Sequence, residues 1–271
     1  MLRRDWIIGM ACSGASLCGC RSAPFTGRRQ LLLLPEQQEI AMGQENFTQI
    51  LSEEPLSANT RGAEIVRRVG LRLASVSGRP DYAWDFRLLA SPAQNAFCLP
   101  GGKVAVYEGI LPVCQSEAGL AVVMSHEISH ALARHGGERI SQQATVQGVR
   151  SAVDYAFSGT SNASRELVRT AYGAATQYGL ILPYSRRHES EADQMGIALM
   201  AQAGYDPNEA PRFWTRFGQA ELMAGAKPPE WASTHPSDAR RASDLMIQVP
   251  SAMQAYSSAP VRLGLGEPIF G

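Results

Sequence analysis

Apolar positions recur at helical spacing over most of the chain. They do so from Gln37 to Leu51 and from Thr60 to Ser75, where Ile65, Val66, Val69 and Leu73 share one face. The period then shortens to two: Tyr82, Trp84, Phe86 and Leu88 alternate with smaller or polar neighbours, which predicts a strand. Asn95–Leu99 and Lys103–Tyr107 flank Pro100-Gly101-Gly102, a turn sequence, and read as a hairpin. From Ser116 the helical period returns. Ser116 is a suitable N-cap for a long helix to about Gln143, and further helices are expected at about 165–179, 186–203 and 206–223. Asp206-Pro207-Asn208-Glu209 opens the last of these, and Pro236 starts a final helix to about Ile247. No period is visible beyond Pro250. The pattern predicts a mainly α (α+β) domain over residues 37–249, with one small antiparallel sheet beside the long helix and a tail at 250–271.

The start of the chain has a different character. Arg3-Arg4, the short apolar stretch from Trp6 to Cys12 and the small residues after it read as an export signal over 1–19. Leu17-Cys18-Gly19-Cys20 resembles a bacterial lipobox, which implies cleavage before Cys20, a lipid on its sulfur and an address in the periplasm, anchored to the outer membrane. Residues 20–36, with Pro24, Gly27 and Pro35, then read as an extended linker. Cys98 and Cys114 are expected as two separate buried thiols.

Composition narrows the field. The 271 residues carry 25 basic and 25 acidic side chains, so a general nucleic-acid binder, which needs a basic excess, is excluded. No apolar run reaches the roughly 18–20 residues that span a bilayer. Only five histidines are present, and their positions carry information.

His126-Glu127-Ile128-Ser129-His130 lies inside the longest predicted helix. Residues four apart sit one turn apart on one face, so both imidazoles can reach one ion. Zinc lowers the pKa of a water it binds from about 15.7 to near 7, and Glu127 is placed to take the proton. The apolar flanks Leu120–Met124 and Ile128, Ala131 and Leu132 bury this helix, which makes uncompensated histidines there costly. His135 is nine positions from His126, half a rotation away in a continuous helix, and is expected to face outward. A catalytic zinc needs a third protein ligand. The metzincin extension is excluded because Ala133 and Gly136 stand where it needs Gly and His. Glu189 and Asp193 are four apart on another helix, so Glu189 can bind the ion while Asp193 accepts a hydrogen bond from a ligand histidine. Glu191, two positions on, points elsewhere, and His188 adjoins the third ligand.

With Thr26-Gly27-Arg28-Arg29-Gln30, Asn95-Ala96-Phe97, Pro100-Gly101-Gly102 and Thr234-His235-Pro236 with Arg241, these segments resemble the gluzincin metallopeptidases of the HtpX, BepA, LoiP and CAAX-prenyl-protease family. The resemblance spans nearly the whole chain after residue 20. It implies a zincin-like helical domain and one Zn2+ per chain on His126, His130 and Glu189, with Glu127 as the catalytic base. It implies protein or peptide substrates, unfolded or misassembled envelope proteins in particular. It makes His235 either a latch in the fourth metal position or a transition-state donor, and Arg241 a further candidate donor. The strand at 103–107, or its neighbour at 95–99, is expected to pair with extended substrate. Two rival readings share these residues: a latched, chaperone-like assembly factor with little proteolysis, and a zinc amidase acting on cell-wall peptides. The sequence leaves the oligomeric state open.

Overall fold

The structure is a computed structural model that describes residues 20–146, 184–224, 231, 235 and 240–270. The expected signal at 1–19, the helix at 165–179 and the helix start at Pro236 lie outside the described residues.

Strands β1 (Cys20–Ser22) and β2 (Arg29–Leu31) form an antiparallel hairpin. Residues 20–31 are therefore not an extended linker: Ala23, Gln30, Leu32 and Leu34 are buried against the body. Helices α1 (Glu36–Glu53) and α2 (Thr60–Val76) follow, the latter capped by Asn59, whose side chain accepts from the Gly62 amide. A sheet of β3 (Asp85–Leu89), β4 (Ala96–Leu99) and β5 (Lys103–Tyr107) comes next, then the short α3 (Leu111–Cys114). The 95–107 hairpin is antiparallel as expected, but β3 runs parallel to β5, so the sheet is mixed, in the order β3-β5-β4. A parallel partner needs a crossover, and β4 supplies it by lying outside β5. Cys98 and Cys114 are separate buried thiols.

Helix α4 (Glu117–Leu132) carries the histidine motif and is buried at every one of its 16 residues. It packs against α2, β4, α6 (Arg186–Gln202) and α7 (Glu209–Ala224). The Ser116 hydroxyl accepts from the Gly119 amide, and the chain end satisfies two more first-turn donors: Glu117 N–H donates to Glu267 C=O and Ala118 N–H to Leu265 C=O. The region after Pro250 is thus part of the domain. Helix α8 (Arg240–Ser258) runs through Pro250, which removes the hydrogen bond to the Met246 carbonyl. Met246 is exposed, so water can serve that carbonyl.

The long helix expected to Gln143 is broken. Helix α4 ends at Leu132, Arg134 adopts a left-handed φ of 56°, and α5 (His135–Val146) starts in a new phase. The kink is held from outside: the Arg134 guanidinium pairs with the Glu39 carboxylate at 2.7 and 3.1 Å and donates to the Leu34 carbonyl at 2.8 Å. Gly137 makes room for that pair, because a Cβ there would stand 2.1 Å from Oε1 of Glu39. Gly137→Ala should therefore dislodge Glu39 and destabilise the protein by about 1–3 kcal/mol; chemical denaturation against the parent measures it.

Candidate metal centre

Helices α4 and α6 meet closely where Gly196 faces His126, a Cβ at 196 coming within 3.2 Å of the His126 backbone nitrogen. That approach brings the α6 carboxylates over the α4 histidines. Nε2 of His126 lies 3.1 Å from Nε2 of His130 and 3.1 Å from Nδ1 of His235. Glu189 adds its oxygens at 3.3 Å from His126 Nε2, 3.5 Å from His130 Nε2 and 3.0 Å from His235 Nδ1. One ligand atom from each of these four residues lies within 4.8 Å of the others, and all four side chains are buried. Ring nitrogens facing one another at hydrogen-bond distance, beside a carboxylate, present converging lone pairs. An N, N, N, O set of this kind suits zinc.

Each group around the cluster has a partner. Nδ1 of His126 faces Asp193 Oδ1 at 3.0 Å. Arg241 forks onto Asp193 at 2.8 and 2.7 Å, and its Nη1 lies 2.9 Å from Glu189 Oε2. Its guanidinium also covers the Trp214 ring, 3.4 Å from the centroid. These contacts commit Arg241 to holding Asp193 and Glu189; it is not placed as a free oxyanion donor. Glu127 lies alongside: Trp231 Nε1–H donates to its Oε1 at 2.6 Å, and His235 Nε2 is 3.3 Å from the same oxygen. Tyr184 packs on His130 at 4.0 Å between ring centroids.

The electrostatics follow from burial and pairing. Burial opposes ionisation of Glu189, yet His235 and Arg241 hold its carboxyl well below the usual range. Burial would lower the His126 pKa, but hydrogen bonds to Asp193 and Glu189 outweigh it and raise the pKa to about 9. Burial holds His130 well below the ordinary histidine value.

The structure brings together His126, Glu127, His130, Glu189, Asp193, His235 and Arg241. It also shows groups that sequence reasoning did not find. His135, expected to face outward, is fully buried, with Nδ1 3.0 Å from His130 Nδ1 and Nε2 3.0 Å from Glu191 Oε2. The break at Arg134 resets the helical phase and turns the ring inward. The visible signal was Gly136-Gly137 just after it, a poor sequence for a helix interior. Glu191 does point away from the cluster, toward Arg28, whose Nε is 2.5 Å from its Oε2. Arg28 also forks onto Glu138 at 2.9 and 2.6 Å, and Glu138 meets His188 Nε2 at 3.1 Å. Trp231 carried no signal beyond its aromatic bulk.

The profile of Peptidase family M48 matches residues 61–248. The chain belongs to that family. Mitochondrial metalloendopeptidase OMA1 of Schizosaccharomyces pombe is 37% identical over 256 residues, 92% of this chain and 73% of that one. Its Saccharomyces cerevisiae namesake is 33% identical over 181 residues, 65% of this chain and 50% of that one. The beta-barrel assembly-enhancing protease of Yersinia pestis is 29% identical over 252 residues, 89% of this chain and 51% of that one, so this chain spans about half the length of these last two relatives. The protein is a metalloendopeptidase, and zinc is its cofactor.

The relatives also correct the expected address. The OMA1 proteins of two yeasts, Arabidopsis thaliana and Bos taurus bear mitochondrial names, against a periplasmic lipoprotein of the outer membrane. Cys20, expected to carry the lipid, opens strand β1 opposite Leu31. No helix among the described residues is long and apolar enough to cross a membrane.

The Arg28–Glu138 pair makes acid sensitivity testable. Burial opposes ionisation of Glu138, but hydrogen bonds from His188 and Arg28 hold its pKa down to about 2 against 4.5. A depressed carboxylate stabilises the fold above its unfolded pKa and loses that effect as pH falls through the folded one. Glu138→Gln should destabilise by about 1–3 kcal/mol at neutral pH. The gap to the parent should close between pH 4.5 and 2 in denaturation curves taken at each pH.

Proposed function

We propose that His126 Nε2, His130 Nε2 and Glu189 hold the zinc and that Glu127 is the general base of peptide hydrolysis. The observation that carries this is the convergence of those donor atoms with the Glu127 carboxylate beside them. Bound there, zinc supplies Lewis acidity toward a peptide carbonyl and lowers the pKa of water to near 7, by about 9 units. Glu127 takes the proton of the attacking water. The Trp231 N–H on Oε1 fixes the carboxylate plane and leaves Oε2 to receive that proton. Asp193 accepts from Nδ1–H of His126 and so keeps Nε2 free to ligate, while Arg241 holds Asp193 and Glu189 in register.

The substrate reading is an extended, unfolded or misassembled polypeptide, cleaved in protein quality control. Strand β5 is paired on both sides and has no edge to offer, whereas β4 lies at the sheet margin against α4. The carbonyl of Gln94, just before β4, already accepts a backbone bond from Trp231 N–H, so this margin takes main-chain donors. Strand addition of this kind favours unfolded chains. Glu127→Gln should abolish casein cleavage and leave zinc content near one per chain. Undiminished cleavage would sink the mechanism.

One observation favours a resting form in which proteolysis is held back. Nδ1 of His235 sits inside the donor cluster, 3.0 Å from Glu189 and 3.1 Å from His126, as a fourth ligand would. A site closed by four protein ligands has no open position for substrate. His235→Ala should then raise casein turnover; a fall instead would make His235 a transition-state donor.

A further inference from the structure

The two motif histidines are backed differently. His126 turns Nδ1 directly to the Asp193 carboxylate. His130 turns Nδ1 to another histidine, His135, and only beyond that ring does a carboxylate, Glu191, appear. The proton positions follow. A histidine that ligates through Nε2 keeps its proton on Nδ1. His130 must therefore donate from Nδ1, and Nδ1 of His135 must accept. A neutral His135 then carries its proton on Nε2, where Glu191 Oε2 accepts it at 3.0 Å. No other tautomer of His135 satisfies both contacts.

The far end of this chain is tied down by the β1–β2 hairpin. Arg28 Nε donates to Glu191 Oε2 at 2.5 Å and the Thr26 hydroxyl donates to Glu191 Oε1. The other guanidinium nitrogens of Arg28 are spent on Glu138. His188 stacks on His135 at 4.4 Å between centroids and 20° between planes, which fixes the plane of the ring. Ion pairing of Arg28 with two carboxylates would hold the hairpin by itself; it does not require a histidine bridging one of them to His130.

We infer that Arg28, Glu191 and His135 are positioning residues: through them the N-terminal hairpin sets the tautomer and direction of His130, and thereby the affinity for zinc. The inference rests on His130 being a zinc ligand, as proposed above.

Zinc dissociation constants from competition with a chromophoric chelator test it. His135→Phe keeps a ring to stack on His188 but offers no acceptor, and should weaken zinc binding about 10–100-fold. Glu191→Gln keeps a carbonyl oxygen for the Nε2 proton and should lose less than Glu191→Ala. In the zinc-loaded parent, nitrogen-15 shifts should show His130 protonated on Nδ1 and His135 on Nε2. That measurement stands even if the Phe variant folds poorly. A folded His135→Phe protein that binds zinc within about twofold of the parent overturns the inference, and so does a His135 protonated on Nδ1. His130→Ala separates the two levels: full zinc content in that variant refutes the ligand assignment, whereas its loss together with unchanged affinity in His135→Phe refutes the positioning role alone.

Discussion

Charge buried in an apolar interior is the constraint on which this structure depends. Three histidines, two glutamates, an aspartate and an arginine form one hydrogen-bonded cluster, each almost fully buried, on and against a helix that is itself wholly enclosed. Any one of them alone there would be strongly unfavourable. They coexist because every charge faces an opposite charge or a nitrogen lone pair, and because the set converges donor atoms suited to a divalent cation. Several features of the fold follow from this demand: the close approach at Gly196, the chain end that caps α4, and the break at Arg134.

The arrangement has a rough symmetry that the linear sequence hides. Behind each motif histidine stands a carboxylate of α6, directly for His126 and through the ring of His135 for His130, and each carboxylate is gripped by an arginine from far away in the chain, Arg241 for Asp193 and Arg28 for Glu191. Helix α6 offers Glu189, Glu191 and Asp193 within a turn and a half, and the two-residue offset sends Glu191 to the neighbouring ring. The two carboxylates that share a face, Glu189 and Asp193, are held together by Arg241 between them, while Glu191 serves the second histidine through His135.

Much of this was legible from residues alone. The four-residue spacings 126–130 and 189–193 encode facing directions in any regular helix, so the proposed ligands and Asp193 could be paired before any fold was known. What was not legible came from irregular backbone. One left-handed residue, Arg134, reverses where His135 points, and its stability depends on Glu39, almost a hundred positions earlier. The hairpin at 20–31 is short and polar, with no periodicity to announce it. Pro250 looked like an end, yet its missing bond falls at an exposed residue, Met246. Trp231 acts through a single N–H, which no pattern reveals.

The two arginines also impose an order on assembly. Arg28 leaves the ribosome early, while His235 and Arg241 are added only after all the other acidic and histidine groups of the centre have been made. Until they arrive, Glu189 and Asp193 lack the Arg241 counter-charge. Between the synthesis of His130 and that of Arg241, a nascent chain therefore carries the motif without a finished centre. The distribution of partners along the chain thus ties the pairing of Glu189 and Asp193 to a segment made some fifty residues after them.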